Sequence, residues 1–152
     1  NSSFRIEAYD VAHMSGKNMV GVMTVLENGI PAKNEYKKFI IKTQKNSNDT
    51  GALEEILSRR FRHLEWGVPD LIVLDGALAQ ENIARQVLSR FQLEIPVVAV
   101  VKDERHKAKE IRGNKKDIEK REDSKLLANS EAHRFAIAFH KQKRAKDFLG
   151  DK

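Results

Sequence analysis

Apolar and polar positions along this chain switch between two periods, and the switch points divide it into elements. Three short mixed stretches come first, each of strand length. These are Phe4 to Asp10, Met19 to Glu27, and Glu35 to Lys42, where Tyr36, Phe39 and Ile41 stand among polar neighbours. A turn is expected at His13-Met14-Ser15-Gly16-Lys17-Asn18, and Asn28-Gly29 is a hairpin signal because both residues tolerate positive φ. The pattern predicts an antiparallel meander.

The period then lengthens. Asn46-Ser47-Asn48-Asp49-Thr50 offers N-cap chemistry, and Leu53, Ile56, Leu57, Phe61 and Leu64 follow at spacings of three and four, which predicts an amphipathic helix. Leu71-Ile72-Val73-Leu74 is apolar without alternation, as in a strand buried on both faces. A second helix is expected from about Ala77 to Phe91, burying Ile83, Val87 and Leu88, and Ile95 to Val101 reads as another buried strand. Lys102 to Lys125 holds ten positive and seven negative residues around Gly113-Asn114, and reads as an exposed hairpin or excursion inside the domain, reaching to about residue 127. A last helix is expected from Glu131 to about Phe148, with Phe135, Ala138 and Phe139 on its apolar side.

The order βββαβαβ(insert)α predicts an α/β, ribonuclease H-like fold: a five-stranded mixed sheet, three antiparallel plus two parallel strands, flanked by helices. In such sheets ligands collect at the carboxyl ends of strands where connections diverge. Asp10 and Asp75 each close a strand there. A carboxylate ending an apolar run needs compensation, and two of them side by side repel unless a cation joins them. Mg2+ or Mn2+ suits oxygen ligands of this kind and keeps several waters, which points to phosphodiester hydrolysis. Taken singly, Asp75 before Gly76 is more often a plain loop cap; the matched pair shifts the balance toward a site.

Composition narrows the classes without choosing among them. At 152 residues, with 40% apolar and 33% charged residues, the chain fits one soluble domain, 1–152. It has no apolar run near the ~20 residues of a membrane span and no signal peptide, so no membrane role is expected. The start Asn1-Ser2-Ser3 suggests a piece cut from a larger protein. Without cysteine there are no disulfides, zinc fingers or thiol nucleophiles, in keeping with a cytoplasmic location. The net charge of +6, of which +4 lies between Arg134 and Lys152, suggests a polyanionic partner; a merely solubilising tail is an equal reading.

A third group is expected from the last helix, with Glu131, His133 and His140 as candidates. His133, Ile137, His140 and Arg144 share one side of it, opposite Phe135 and Phe139. Spacing leaves the two histidines equivalent, either able to act as ligand or as proton-transfer group near neutral pH.

The motifs together resemble a known family. Ile6-Glu7-Ala8-Tyr9-Asp10-Val11-Ala12-His13, Glu35-Tyr36-Lys37-Lys38-Phe39, Pro69 to Gly76, Val98-Ala99-Val100-Val101-Lys102, and Glu131-Ala132-His133-Arg134-Phe135-Ala136 with His140 are similar, in order and spacing, to the C-terminal endonuclease domain of the bacterial excinuclease UvrC. The resemblance implies a ribonuclease H-like endonuclease of nucleotide excision repair that incises damaged double-stranded DNA 5′ to the lesion, using an Asp-Asp-His triad and a divalent metal. It places the triad on Asp10, Asp75 and His133, with Asp10 and Asp75 as metal ligands. It further implies nucleic-acid contacts at His13, Lys102, Arg134 and His140, and a partner, the damage-recognition helicase of the excinuclease, engaged through regions outside this chain. Two departures stand out. Gly76-Ala77-Leu78-Ala79-Gln80 replaces the usual Gly-Gly-Lys-Gly-Gln, and Asn129-Ser130 replaces an Arg-Asp pair. Two other readings stay open: a nuclease of the same fold acting on RNA or deaminated bases, since no residue pattern fixes the substrate, and a catalytically inactive nucleic-acid-binding or protein-interaction module, whose only sequence support is the altered loop after Asp75.

Overall fold

The computed structural model describes residues 3–13, 19–42, 49–105, 107–119 and 121–150, excepting the side chains of His13, Lys109, Glu119 and residues 139–150. The turn expected at 14–18 and the capping segment at 46–48 lie outside the described residues. Among the described residues seven strands form one sheet: β1 (Arg5–His13), β2 (Met19–Glu27), β3 (Ile30–Pro31), β4 (Lys37–Ile40), β5 (Leu71–Asp75), β6 (Val97–Lys102) and β7 (Ala108–Arg112). The described helices are α1 (Asp49–Arg60), α2 (Leu78–Arg90), α3 (Lys115–Glu119) and α4 (Glu122–Gly150). No described helix is long and apolar enough to cross a membrane.

Strand order is β3-β2-β1-β5-β6-β7, with β4 also paired to β2. β1 is central, antiparallel to β2 and parallel to β5, and β5 is parallel to β6. The ribonuclease H-like mixed sheet is therefore present, and β3 and β7 add two short strands to the five expected. Asn28 and Gly29 take φ of 53° and 79°, the positive values of a tight primed hairpin turn. That turn delivers only the two-residue β3; a single 3-10 turn at Lys33–Glu35 intervenes before β4.

Side-chain alternation sorts the sheet into two faces. Tyr9, Ile72, Leu74, Val97 and Ala99 face α1 and α2; Ile6, Ala8, Leu71, Val73, Val98 and Val100 face α4. Gly21 lets α1 sit close on β2, because a Cβ there would lie 2.0 Å from Ile56 Cδ1. Leu53, Ile56, Leu57 and Phe61 are buried as the spacing predicts, whereas Leu64 is exposed.

The charged segment after β6 is more ordered than an excursion. It returns along β6 as antiparallel β7, forms α3, and enters α4 at Glu122, nine positions before the expected Glu131. Within it Lys125 is fully buried, its ammonium donating to the carbonyls of Asp117 and Ile118 at the end of α3. The apolar side of α4 also differs from expectation. Its buried residues are Ala128, Ala132 and Ala136 at spacings of four; of the expected three, Phe135 packs beside them partly covered, Ala138 is exposed, and the Phe139 side chain lies outside the described residues. Small residues let the helix lie close across β1, β2 and β5, and that proximity brings His133, about three turns into α4, to Asp10.

Candidate active site

Three strands carry a charged residue late in their α4-facing rows; β1 runs on to His13 instead of closing at Asp10, and Ala12 follows Asp10 on that face. Ile6 and Ala8 lead to Asp10, Leu71 and Val73 to Asp75, and Val98 and Val100 to Lys102. Tyr9 is the Cα partner of Leu74 in the parallel β1–β5 pair, so Asp10 and Asp75 follow side by side at the carboxyl edge. The β6–β7 register slips between Val101 and Lys102, a bulge of the kind that re-aims a side chain beside a site.

The rows meet α4 at His133, whose Nδ1 lies 3.2 Å from Asp10 Oδ2. Asp10 is almost covered, while about half of the His133 side chain is exposed. Lys102 Nζ stands 2.7 Å from Asp75 Oδ1. That oxygen is buried without a well-aligned hydrogen bond, so the contact is a charge pair. Burial, and then the negative charge of Asp75, push the Asp10 carboxyl up to about 6, against the opposing pull of His133 and Lys102. Both effects disfavour a second carboxylate charge in so dry a place.

This donor set fits a hard divalent cation. It offers two carboxylates, one of them destabilised by the other's charge, and a buried oxygen lacking an aligned donor. Among the described residues no three His, Cys, Asp or Glu side chains converge into a protein-only cage. Mg2+ and Mn2+ hold several waters and need only one or two protein carboxylates, which Asp10 and Asp75 can supply.

Two further residues border the same cleft. Asp49, at the start of α1, and Gln80, in the first turn of α2, line it with Tyr9, Asp10, Val11, Leu53 and Asp75 around a volume of about 50 Å3. Sequence reasoning treated Asp49 only as a helix cap, and no spacing in the chain ties it to Asp10. Gln80 closes the altered loop: Gly76 takes φ of 145° and Gln80 Oε1 accepts from the Ala77 N–H at 2.9 Å. Leu78, exposed, stands where the resemblance expects a lysine. A space this small holds a few waters or an ion, well below the several hundred Å3 of a small-molecule pocket. A substrate must be met at the mouth of the cleft. The roomier hollow lined by Arg85, Leu88, Gln92, Pro96 and Lys116 lies by the opposite end of β6, away from both aspartates.

Of the other expected contacts, Arg134 projects from α4 next to His133 and is held by Glu131 through its Nε and Nη2, both at 2.9 Å. His13 ends β1 and His140 lies in α4, but their side chains fall outside the described residues. Spacing alone could not separate His133 from His140; the geometry brings His133 to Asp10.

Comparison with known proteins agrees with this architecture. The family described as the UvrC RNAse H endonuclease domain matches residues 1–137. The chain is 39% identical to the UvrABC system protein C of Clostridium acetobutylicum over 95% of its own length and 27% of that protein's. It is 40% identical to the Clostridium perfringens counterpart over the same shares. It thus spans about a quarter of the curated relatives it matches. Among solved structures, endonuclease V of Ciona intestinalis, in complex with an inosine-containing DNA, aligns with a TM-score of 0.50 at 14% identity. That alignment covers 66% of this chain and 46% of the other, and it supports the fold alone. With fold, edge and motifs in agreement, the chain belongs to the UvrC RNase H endonuclease domain family.

Proposed function

We propose that this chain is the divalent-metal-dependent endonuclease domain of a nucleotide excision repair protein, incising damaged duplex DNA on the 5′ side of the lesion. The observation that carries the reading is the meeting of Asp10, Asp75 and His133, from three distant segments, at one edge of a ribonuclease H-like sheet. The relatives are named as components of a UvrABC system. That supports a helicase partner engaged through parts of those proteins that this chain does not span.

In this reading Asp10 and Asp75 hold Mg2+ or Mn2+. Such an ion, when bound, lowers the pKa of its water and offsets charge on the phosphoryl oxygens. Hydrolysis adds water to phosphorus, breaks a bridging P–O bond and returns a proton to the departing oxygen. His133, half-exposed and bound to Asp10 through Nδ1, is placed to take or give that proton. Lys102 sets an ammonium at the same edge for the phosphate charge. His13, Arg134 and His140 serve as further phosphate contacts. The second reading, an inactive binding module, draws on the loop after Asp75, where Leu78 offers no cation.

Nicking of a lesion-bearing duplex in Mg2+ or Mn2+ decides between them. Asp10→Asn or Asp75→Asn should reduce cutting on the order of 10³-fold, since metal charge stabilisation is worth several kcal/mol. His133→Ala should cost roughly 10² to 10⁴. All three should melt as cooperatively as the parent. Metal-dependent nicking that survives both aspartate changes would place the chemistry elsewhere.

A further inference from the structure

Two stretches that the sequence marks separately, Glu35 to Phe39 and Glu131 to Ala136, meet in space. Tyr36 Oη donates to Glu131 Oε1 at 2.7 Å. The Phe135 ring meets Tyr36 edge-on, centroids 5.1 Å apart, and Lys38 Nζ lies 5.5 Å from the Phe135 centroid. Strand register sets this junction beside the catalytic edge. Asp10 pairs with Val22, and Val22 pairs with Lys38. Lys38 therefore stands in the row of Asp10 two strands away, roughly 10 Å at the usual strand spacing.

Val22 packs on the α4 side, so its cross-strand partner Lys38 projects to the face of Asp10 and His133. Lys37 projects to the other face, where its ammonium lies 4.6 Å from the centre of the Trp66 ring. Lys38 is exposed, and so are Ile40 on the same face of β4 and Ile137 one turn beyond His133. Arg134, adjacent to His133, adds a second exposed cation.

We propose that Lys38, with Arg134, forms a track for the sugar-phosphate backbone of the strand being cut, leading from Asp10 and His133 across β2 to β4. The proposal rests on the nuclease reading and names where its substrate runs. A small central cleft cannot grip a duplex by itself. Cations in the row of the scissile site fix strand position without reading bases, which is the work of phosphate contacts. The Phe135 ring beneath Lys38 holds its ammonium at that level.

The test compares the 152-residue chain with Lys38→Gln and Lys37→Gln in fluorescence anisotropy on a labelled, lesion-bearing duplex, in Ca2+, over a series of salt concentrations. Lys38→Gln should weaken binding and reduce the slope of log affinity against log salt by about 0.9, one phosphate contact fewer. Lys37→Gln, next in sequence but on the opposite face, should keep the parent slope. An unchanged slope for Lys38→Gln, or an equal loss for Lys37→Gln, overturns the track while leaving the nuclease reading intact. Failure of the parent chain to bind the duplex at all would overturn both.

Discussion

At Asp10, burial and the neighbouring carboxylate of Asp75 act in one direction, and both favour a proton. Glu131, one turn of α4 from the charged centre, goes the other way. Hydrogen bonds from Arg134, helped by Tyr36, hold its carboxyl at about 2 against an ordinary 4.5. A carboxylate held below its unfolded value contributes stability that is present above about 4.5 and is lost as pH falls toward about 2. Glu131→Gln should therefore melt below the parent at neutral pH, with the gap closing as pH drops through that window. Thermal melts across the acid range check this, and a gap that stays constant would mean the charge contributes nothing. Tyr36 and Glu131 carried no joint signal in the sequence, because ninety-five positions separate them and they fall in two different motifs.

Among the elements, β1 carries two kinds of chemistry on opposite faces. Its α4 face delivers Asp10. Its other face buries Glu7 completely, within 2.8 Å of Arg5 Nε and Arg60 Nε, 2.6 Å of Arg60 Nη2, and 2.5 Å of Tyr9 Oη. Arg60 ends α1 and also donates to the carbonyls of His63 and Gly67, so it ties helix, loop and central strand together. Removing Arg60 strips the buried Glu7 carboxylate of two charge-assisted hydrogen bonds and leaves it Arg5 and the Tyr9 hydroxyl. Arg60→Ala should cost about 3–5 kcal/mol in denaturant unfolding, with nicking per folded molecule unchanged. A cost below about 1 kcal/mol, the surface-pair range, would show that water replaces the guanidinium. The strands that frame the site were legible because alternation and unbroken apolar runs are strong signals at β1, β5 and β6. The seating of α4 was not. Alanines at 128, 132 and 136 carry little hydrophobic contrast, so the aromatic residues drew the expected face away from the true one. The Glu7–Arg60 pair joins residues 53 apart and left no periodic trace.

For the whole molecule, topology gathers chemistry that the sequence scatters. Parallel pairing of β1 with β5 sets Asp10 beside Asp75, and close passage of α4 across the sheet brings His133 from 123 positions away. The ribonuclease H-like order was readable because three antiparallel strands followed by β–α–β units admit few arrangements. The charged segment was readable as a hairpin, which β7 forms with β6, but α3 was not, because a stretch so densely charged has little apolar contrast to mark its period. The same topology leaves Asp49 and Gln80 at the cleft, where only the three-dimensional fold could put them. Everything proposed for this edge depends on the carboxylates of Asp10 and Asp75 holding a divalent cation between them. A crystal soaked in Mn2+ and read by anomalous scattering tests it most directly. A peak is expected within coordination distance of both aspartates and is expected to be absent from crystals of Asp10→Asn. No peak there at saturating Mn2+, or one unaffected by that substitution, would contradict it.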